Sequence, residues 1–98
     1  MTTALPWFVE QYKEKDPEYF ALLEGSLTGA VNTQQLDART RYLILLALDV
    51  LKGAAEGVKV LSRQAREAGA TEDEIREAIR LAYFVNSMDL IKTAVNAF

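Results

Sequence analysis

LDARTRYLILLALDVLKGAAEGVKVLSRQAREAGATEDEI, residues 36–75, decides the fold. Asp37 stands where a helix N-cap is needed, with the amides of Arg39 and Thr40 in reach of its side chain. The body that follows, Tyr42 to Leu51, is apolar at every position except Asp49. A helix apolar nearly all round is buried on most sides, so the spacing predicts that the helix from about Asp37 to Lys52 is the most buried element. Gly53 ends it. A second helix runs from about Ala54 to Ala68, and Gly69 is a natural left-handed C-cap. Thr71 and Glu74 then form a capping box in TEDE and place three acids in the first turn of the next helix.

Working outward, Asp16 and Pro17 form an N-cap and first helical position for a helix reaching about Val31. Tyr19, Phe20, Leu23, Leu27 and Val31 give it an apolar stripe. Gly25 and Gly29, four residues apart, point to close helix packing. A shorter helix is expected over Pro6 to Glu14, and Asn32 to Gln35 is a polar loop. Beyond Thr71, Ile75, Ala78, Ile79, Ala82 and Tyr83 form the next apolar face. Asn86 or Ser87 is placed to cap a last helix that turns Leu90, Ile91, Ala94, Val95 and Phe98 inward. No segment alternates with period two. The expectation is an all-α protein of five to six helices, one domain over residues 1–98.

Composition narrows the chemistry. Eleven basic residues stand against fourteen acidic ones, a net charge of −3, which is the wrong balance for a chain that tracks phosphates. AREAGATEDEIREAIRLA superficially resembles a helix-turn-helix, but its second helix would lead with Glu72, Asp73 and Glu74, which repel phosphate. No nucleic-acid partner is expected. With no Cys and no His in the chain, disulfides, thiol catalysis and the usual metal ligands are missing. No cofactor or metal is expected. The opening MTTALPWFVEQY lacks the basic start of a targeting signal. The apolar run from Tyr42 to Leu51 is too short for a bilayer, which takes about 20 residues. A cytoplasmic protein with no membrane partner is the expectation. Half of the residues are hydrophobic. Trp7, Phe8, Tyr19, Phe20, Phe84 and Phe98 are more aromatic surface than so small a monomer can cover. Self-association through residues 17–31 and 87–98 follows as an expectation.

LDARTR, a buried helix, a Gly, a second helix and AGATEDEI together resemble the carboxymuconolactone decarboxylase family, which includes the alkyl hydroperoxidase D-like proteins. The resemblance is strongest over residues 17–98. It implies the all-α, alkyl hydroperoxidase D-like fold, and a dimer or a hexamer built from dimers. In redox members the junction reads Gly-Cys-x-x-Cys-x-x-x-His, with a Glu twelve residues before the first Cys. Those positions fall here on Gly53, Ala54, Gly57, Leu61 and Tyr42. Every reactive group has been replaced. A peroxidase needs one thiolate to attack and a second thiol to resolve, so the resemblance implies no thiol peroxidase activity here. Decarboxylase members lack the cysteines but keep the His with acids just before it. Here that His position is Leu61, and Glu56 is the acid nearby.

Three side chains remain as candidates for chemistry. Tyr42, Asp49 and Gly53 share one stripe of their helix, since seven residues make almost two turns. A carboxyl buried at Asp49 could serve as general acid or base. The alternative, which is preferred, is that Asp49 pairs with Lys52 or another basic group at a rim or subunit interface. Ala54, Gly57 and Leu61 share the facing stripe. An interior Gly costs a helix about 1 kcal/mol relative to Ala, so Gly57 signals crowding or a ligand. Tyr42 either fills the space left by smaller residues at 54 and 57, or offers its hydroxyl to a small apolar pocket. Glu56 is flanked by Lys52 and Lys59 and reads as a surface ion pair. Arg39 and Arg41 could hold an anion or bridge to a neighbouring subunit, the latter preferred. The resulting expectation is a non-redox, self-associating protein with a pocket near Tyr42 and Gly57 for a small organic acid or lactone. Its alternatives are a non-catalytic oligomeric scaffold and a lactone decarboxylase that has relocated its acid/base groups.

Overall fold

The computed structural model describes residues 5–98. Residues 1–4, the start of the stretch read for a targeting signal, lie outside the described residues. The helices are α1 (Trp7–Glu10), α2 (Tyr12–Lys15), α3 (Pro17–Val31), α4 (Ala38–Lys52), α5 (Ala55–Glu67) and α6 (Glu72–Ala94), closed by a 3-10 turn at Val95–Ala97. No strand occurs among the described residues, so the fold is all-α. The chain forms two compact units, one ending at Gln35 and the other running from Leu36 to Phe98.

In the first unit the expected helix over Pro6 to Glu14 is two single turns on either side of Gln11. Asp16 caps α3 by accepting from the Tyr19 amide at 3.2 Å, with Pro17 at the first helical position. α2 packs on α3, and the Lys13 ammonium lies 5.5 Å above the ring of Phe20, the buried aromatic of α3. The close packing expected at Gly25 and Gly29 is not formed among the described residues of this unit: a Cβ at either position would meet nothing there within 4 Å.

The second unit is a three-helix arrangement. Asp37 caps α4 by accepting the Thr40 amide at 2.8 Å. Gly53 (φ +74°) and Gly69 (φ +101°) adopt the left-handed conformation that an L side chain resists. Each lets the next amide reach back five residues, Ala54 to the Asp49 carbonyl and Ala70 to the Ala65 carbonyl, both at 2.9 Å. α5 therefore doubles back along α4, and α6 packs along α4 as well, meeting α5 only marginally. Leu46, Ala65, Ala70 and Ile75 form the core, with Tyr42, Leu43, Val50, Val58 and Leu61 packed against it.

Two expectations are corrected. α4 is not buried all round: Leu46 is 0% exposed, but Ile44, Leu48 and Leu51 stand exposed. α5 and α6 each cover one side of α4 and leave this third stripe without a neighbour in the unit. Nor does a new helix begin at Asn86 or Ser87, because α6 is continuous through both. Neither Gly nor Pro interrupts it, and the Ser87 hydroxyl donates to the Phe84 carbonyl at 2.9 Å, a bond within the helix rather than a cap. Ile75, Ala78 and Ala82 are its buried residues. Ile79, Tyr83, Leu90, Ile91, Val95 and Phe98, expected inside, are exposed.

The start of α6 is tied down by charge and caps. The Thr71 hydroxyl accepts the Glu74 amide at 3.1 Å, and the Glu74 carboxylate accepts the Thr71 amide at 2.9 Å. Arg66 grips Glu72 with two bonds of 2.6 and 3.0 Å. The Thr40 bonds lower the Asp37 carboxyl below its ordinary value, the Arg66 bond lowers Glu72, and the Thr71 amide, helped by Arg39, lowers Glu74. A carboxyl lowered in the folded state adds stability above its unfolded pKa and loses it as pH falls through the folded one. Stability should therefore decline as the pH drops below about 4, the ordinary carboxylate value. Thr71→Ala should cost about 1 kcal/mol at neutral pH by removing the cap. Urea titrations of both proteins at pH 7 and pH 3 check this; equal midpoints for the two proteins at pH 7 would contradict the capping assignment.

Candidate functional site

The site is assembled by the turn between α4 and α5. The Gly53 amide donates to the Val50 carbonyl at 3.2 Å and the Ala54 amide to the Asp49 carbonyl at 2.9 Å. Chain reversal thus takes two residues and lays the first turn of α5 against the end of α4. Gly57 then faces Asp49. A Cβ at position 57 would overlap Oδ2 of the Asp49 carboxylate and lie 3.0 Å from its Cγ. Of the two explanations for an interior glycine, crowding is what the chain contains, and the crowding group is the carboxylate.

The same Cβ would lie 3.8 Å from the Cβ of Ala54. That matches the spacing of about 3.8 Å between the β-carbons of a disulfide. Neither residue carries sulfur, and the Asp49 carboxylate occupies the space a side chain at 57 would fill. Asp49 is half-buried. Among the described residues its carboxylate has no ion-pair partner, so the expected pairing with Lys52 is not formed.

The other candidates are placed differently. Tyr42 and Leu61 both pack against the core around Leu46 and Ala65, and the Arg41 guanidinium lies 4.8 Å above the Tyr42 ring. Tyr42 and Asp49 share a stripe but stand about 10 Å apart along the axis. Glu56 lies on the surface, 3.5 Å from the Lys59 ammonium. Arg39 donates to Glu74 of its own chain at 2.6 Å. Among the described residues no three Asp or Glu side chains come together in a way that could hold a metal ion. No helix among them is long and apolar enough to cross a membrane.

An open groove of about 450 Å³ lies between α4 and α6. Leu43, Ile44, Ala47, Leu48, Ala78 and Leu81 form its walls, and Arg39, Thr40, Glu74 and Glu77 its polar end. None of Tyr42, Asp49, Gly53, Ala54, Gly57 and Leu61 lines it. Sequence reasoning missed this groove. Its signal was the spacing of Ile44, Ala47 and Leu48, a second apolar stripe hidden inside a run that is apolar nearly throughout.

The uncharacterized protein MJ1511 of Methanocaldococcus jannaschii is 27% identical over 89 residues, which cover 91% of this chain and 83% of that relative. The profile of the carboxymuconolactone decarboxylase family matches residues 17–98, the stretch that holds the left-handed glycine turn, the Asp49–Gly57 contact and the capping box. The chain belongs to the carboxymuconolactone decarboxylase family.

Proposed function

We propose that this chain is a non-redox member of its family, which binds a small organic acid or lactone at the α4–α5 turn and uses Asp49 for proton transfer. The observation that carries this reading is the Asp49 carboxylate lying against Gly57 with no cation paired to it. With no cation on it, that carboxylate is left to accept a hydrogen bond or a proton from a ligand. It stands where the family's second thiol would be, so the position keeps a reactive group while the chemistry changes from sulfur to oxygen. Tyr42, two turns away, offers a hydroxyl on the same stripe. Glu56, held by Lys59, has no part. The exposed apolar surface supports self-association, as a dimer or a hexamer.

A second reading, a non-catalytic oligomeric scaffold, is favoured by one observation: Tyr42 and Leu61 pack against the core rather than lining a cavity. Ligand binding separates the two. A thermal-shift panel of small carboxylic acids and lactones should stabilise the wild-type chain and not Asp49→Asn; no stabilisation by any compound favours the scaffold. Peroxide consumption with a dithiol reductant should equal the blank without protein, since the chain has no thiol. Consumption above that blank would sink the non-redox assignment.

A further inference from the structure

The polar groups at the α4–α5 turn are one-sided. An ionised carboxylate accepts hydrogen bonds and donates none. Among the described residues the Asp49 carboxylate accepts no hydrogen bond and has no ion-pair partner. Gly57 leaves it the room a side chain would take, and Ala54 beside it adds only a methyl group. Neither brings a donor side chain to the seat.

The charges on the packed helices do not offset Asp49. On α4 itself, Lys52 stands one turn on and makes no ion pair with it. On α5, Glu56 and Lys59 are taken up with each other at 3.5 Å, and both side chains are exposed. α6 is pinned to α4 by the bond from Arg39 to Glu74, about 15 Å along the axis before Asp49. Between Arg80 and Asp89 it carries no charged residue. An ionised acid set against Asp49 therefore meets like charge with no cation between the two, and like charges disfavour the doubly ionised pair. A lactone has acceptors only, so it offers an ionised carboxylate nothing to accept.

We propose that the Asp49 seat takes up one proton together with its ligand. An acid binds in its neutral form and donates its O–H to the Asp49 carboxylate; a lactone binds to a protonated Asp49, which donates to the lactone carbonyl. In both cases the proton comes from solvent and only an O–H bond forms. A hydrogen bond from O–H to an ionised oxygen is short and about twice as strong as a neutral one, so a single proton turns the repulsion between two carboxylates into the contact that holds the acid. The same proton sits where proton transfer to the ligand would begin, and the complex forms with its acid already loaded. The inference rests on the ligand seat proposed above and specifies the protonation state in which that seat is filled.

Butyrate and γ-butyrolactone, an acid and a lactone of equal carbon count, are the probes. Each is titrated into 15N-labelled full-length protein at pH 6 and pH 8, with Kd read from the Gly57 amide shift. Uptake of one proton weakens Kd about tenfold per pH unit above the ordinary carboxyl range of about 4, hence about a hundredfold between the two conditions. Glu56→Gln, which alters only the surface pair with Lys59, should show the same loss. Equal Kd at the two pH values for either probe overturns the proton uptake and leaves the ligand seat standing. A pH dependence that disappears in Glu56→Gln assigns the proton to the surface pair and overturns it as well. No Gly57 shift from either probe at pH 6 overturns the seat, and the proton uptake with it.

Discussion

Leu46→Ala is expected to remove about 2–5 kcal/mol of stability, the largest loss from any single truncation in residues 36–98. Leu46 is 0% exposed, and the buried residues around it are small, Ala65 and Ala70 among them, with Ile75 the exception. Alanines have no side chain to swing into a void, so any closure must come from Tyr42, Leu43, Val50, Val58 and Leu61 packed against the core. A small domain has only about 5–15 kcal/mol in hand, and the variant should sit near the edge of folding. Leu48→Ala, two residues on along α4, removes the same atoms from an exposed position. Urea titration of both variants at one protein concentration checks the contrast. Equal losses would contradict the placement of the core.

Gly57→Ala should have the opposite character, a large effect on binding with little on stability. Alanine raises helix propensity by up to about 1 kcal/mol relative to glycine. Its Cβ would overlap the Asp49 carboxylate, which must rotate away. The carboxylate is the far end of a short side chain, so the backbone has no need to move. Melting temperature should change little, while affinity for an acid or lactone found in the panel should fall at least tenfold, about 1.4 kcal/mol. Asp49→Asn keeps the shape and removes the charge, and should lose the same binding. Glu56→Gln, at the surface pair with Lys59, should lose none. If Gly57→Ala binds as well as wild type, the carboxylate at that seat is not the recognising group.

The helix boundaries were legible because capping chemistry is local. Asp16, Asp37 and Thr71 each sit within three residues of the amide they accept, and Gly53 and Gly69 mark the turns by the conformation they alone adopt cheaply. The stripe shared by Asp49 and the crowding at Gly57 were also readable, though the sequence could not say that each explains the other. Burial was less legible. YLILLALDVL is apolar in every direction, so its periodicity cannot tell the side facing α5 from the side left open. The second half of α6 misled for a related reason: its apolar residues are periodic, but the phase of the pattern shifts at Ala82, and a shifted seam reads like a second inward-facing helix. Arg39 found Glu74, thirty-five residues away, and no local rule names such a partner.

The proposed ligand seat is the Asp49–Gly57 contact at the α4–α5 turn. Amide chemical-shift mapping with 15N-labelled protein tests it most directly, using whichever acid or lactone gives the largest thermal shift. Shifts should concentrate on residues 49–61, with Gly57 among the largest, and should be lost in Asp49→Asn. Shifts confined to the groove residues 74–81, or unchanged in Asp49→Asn, would contradict it.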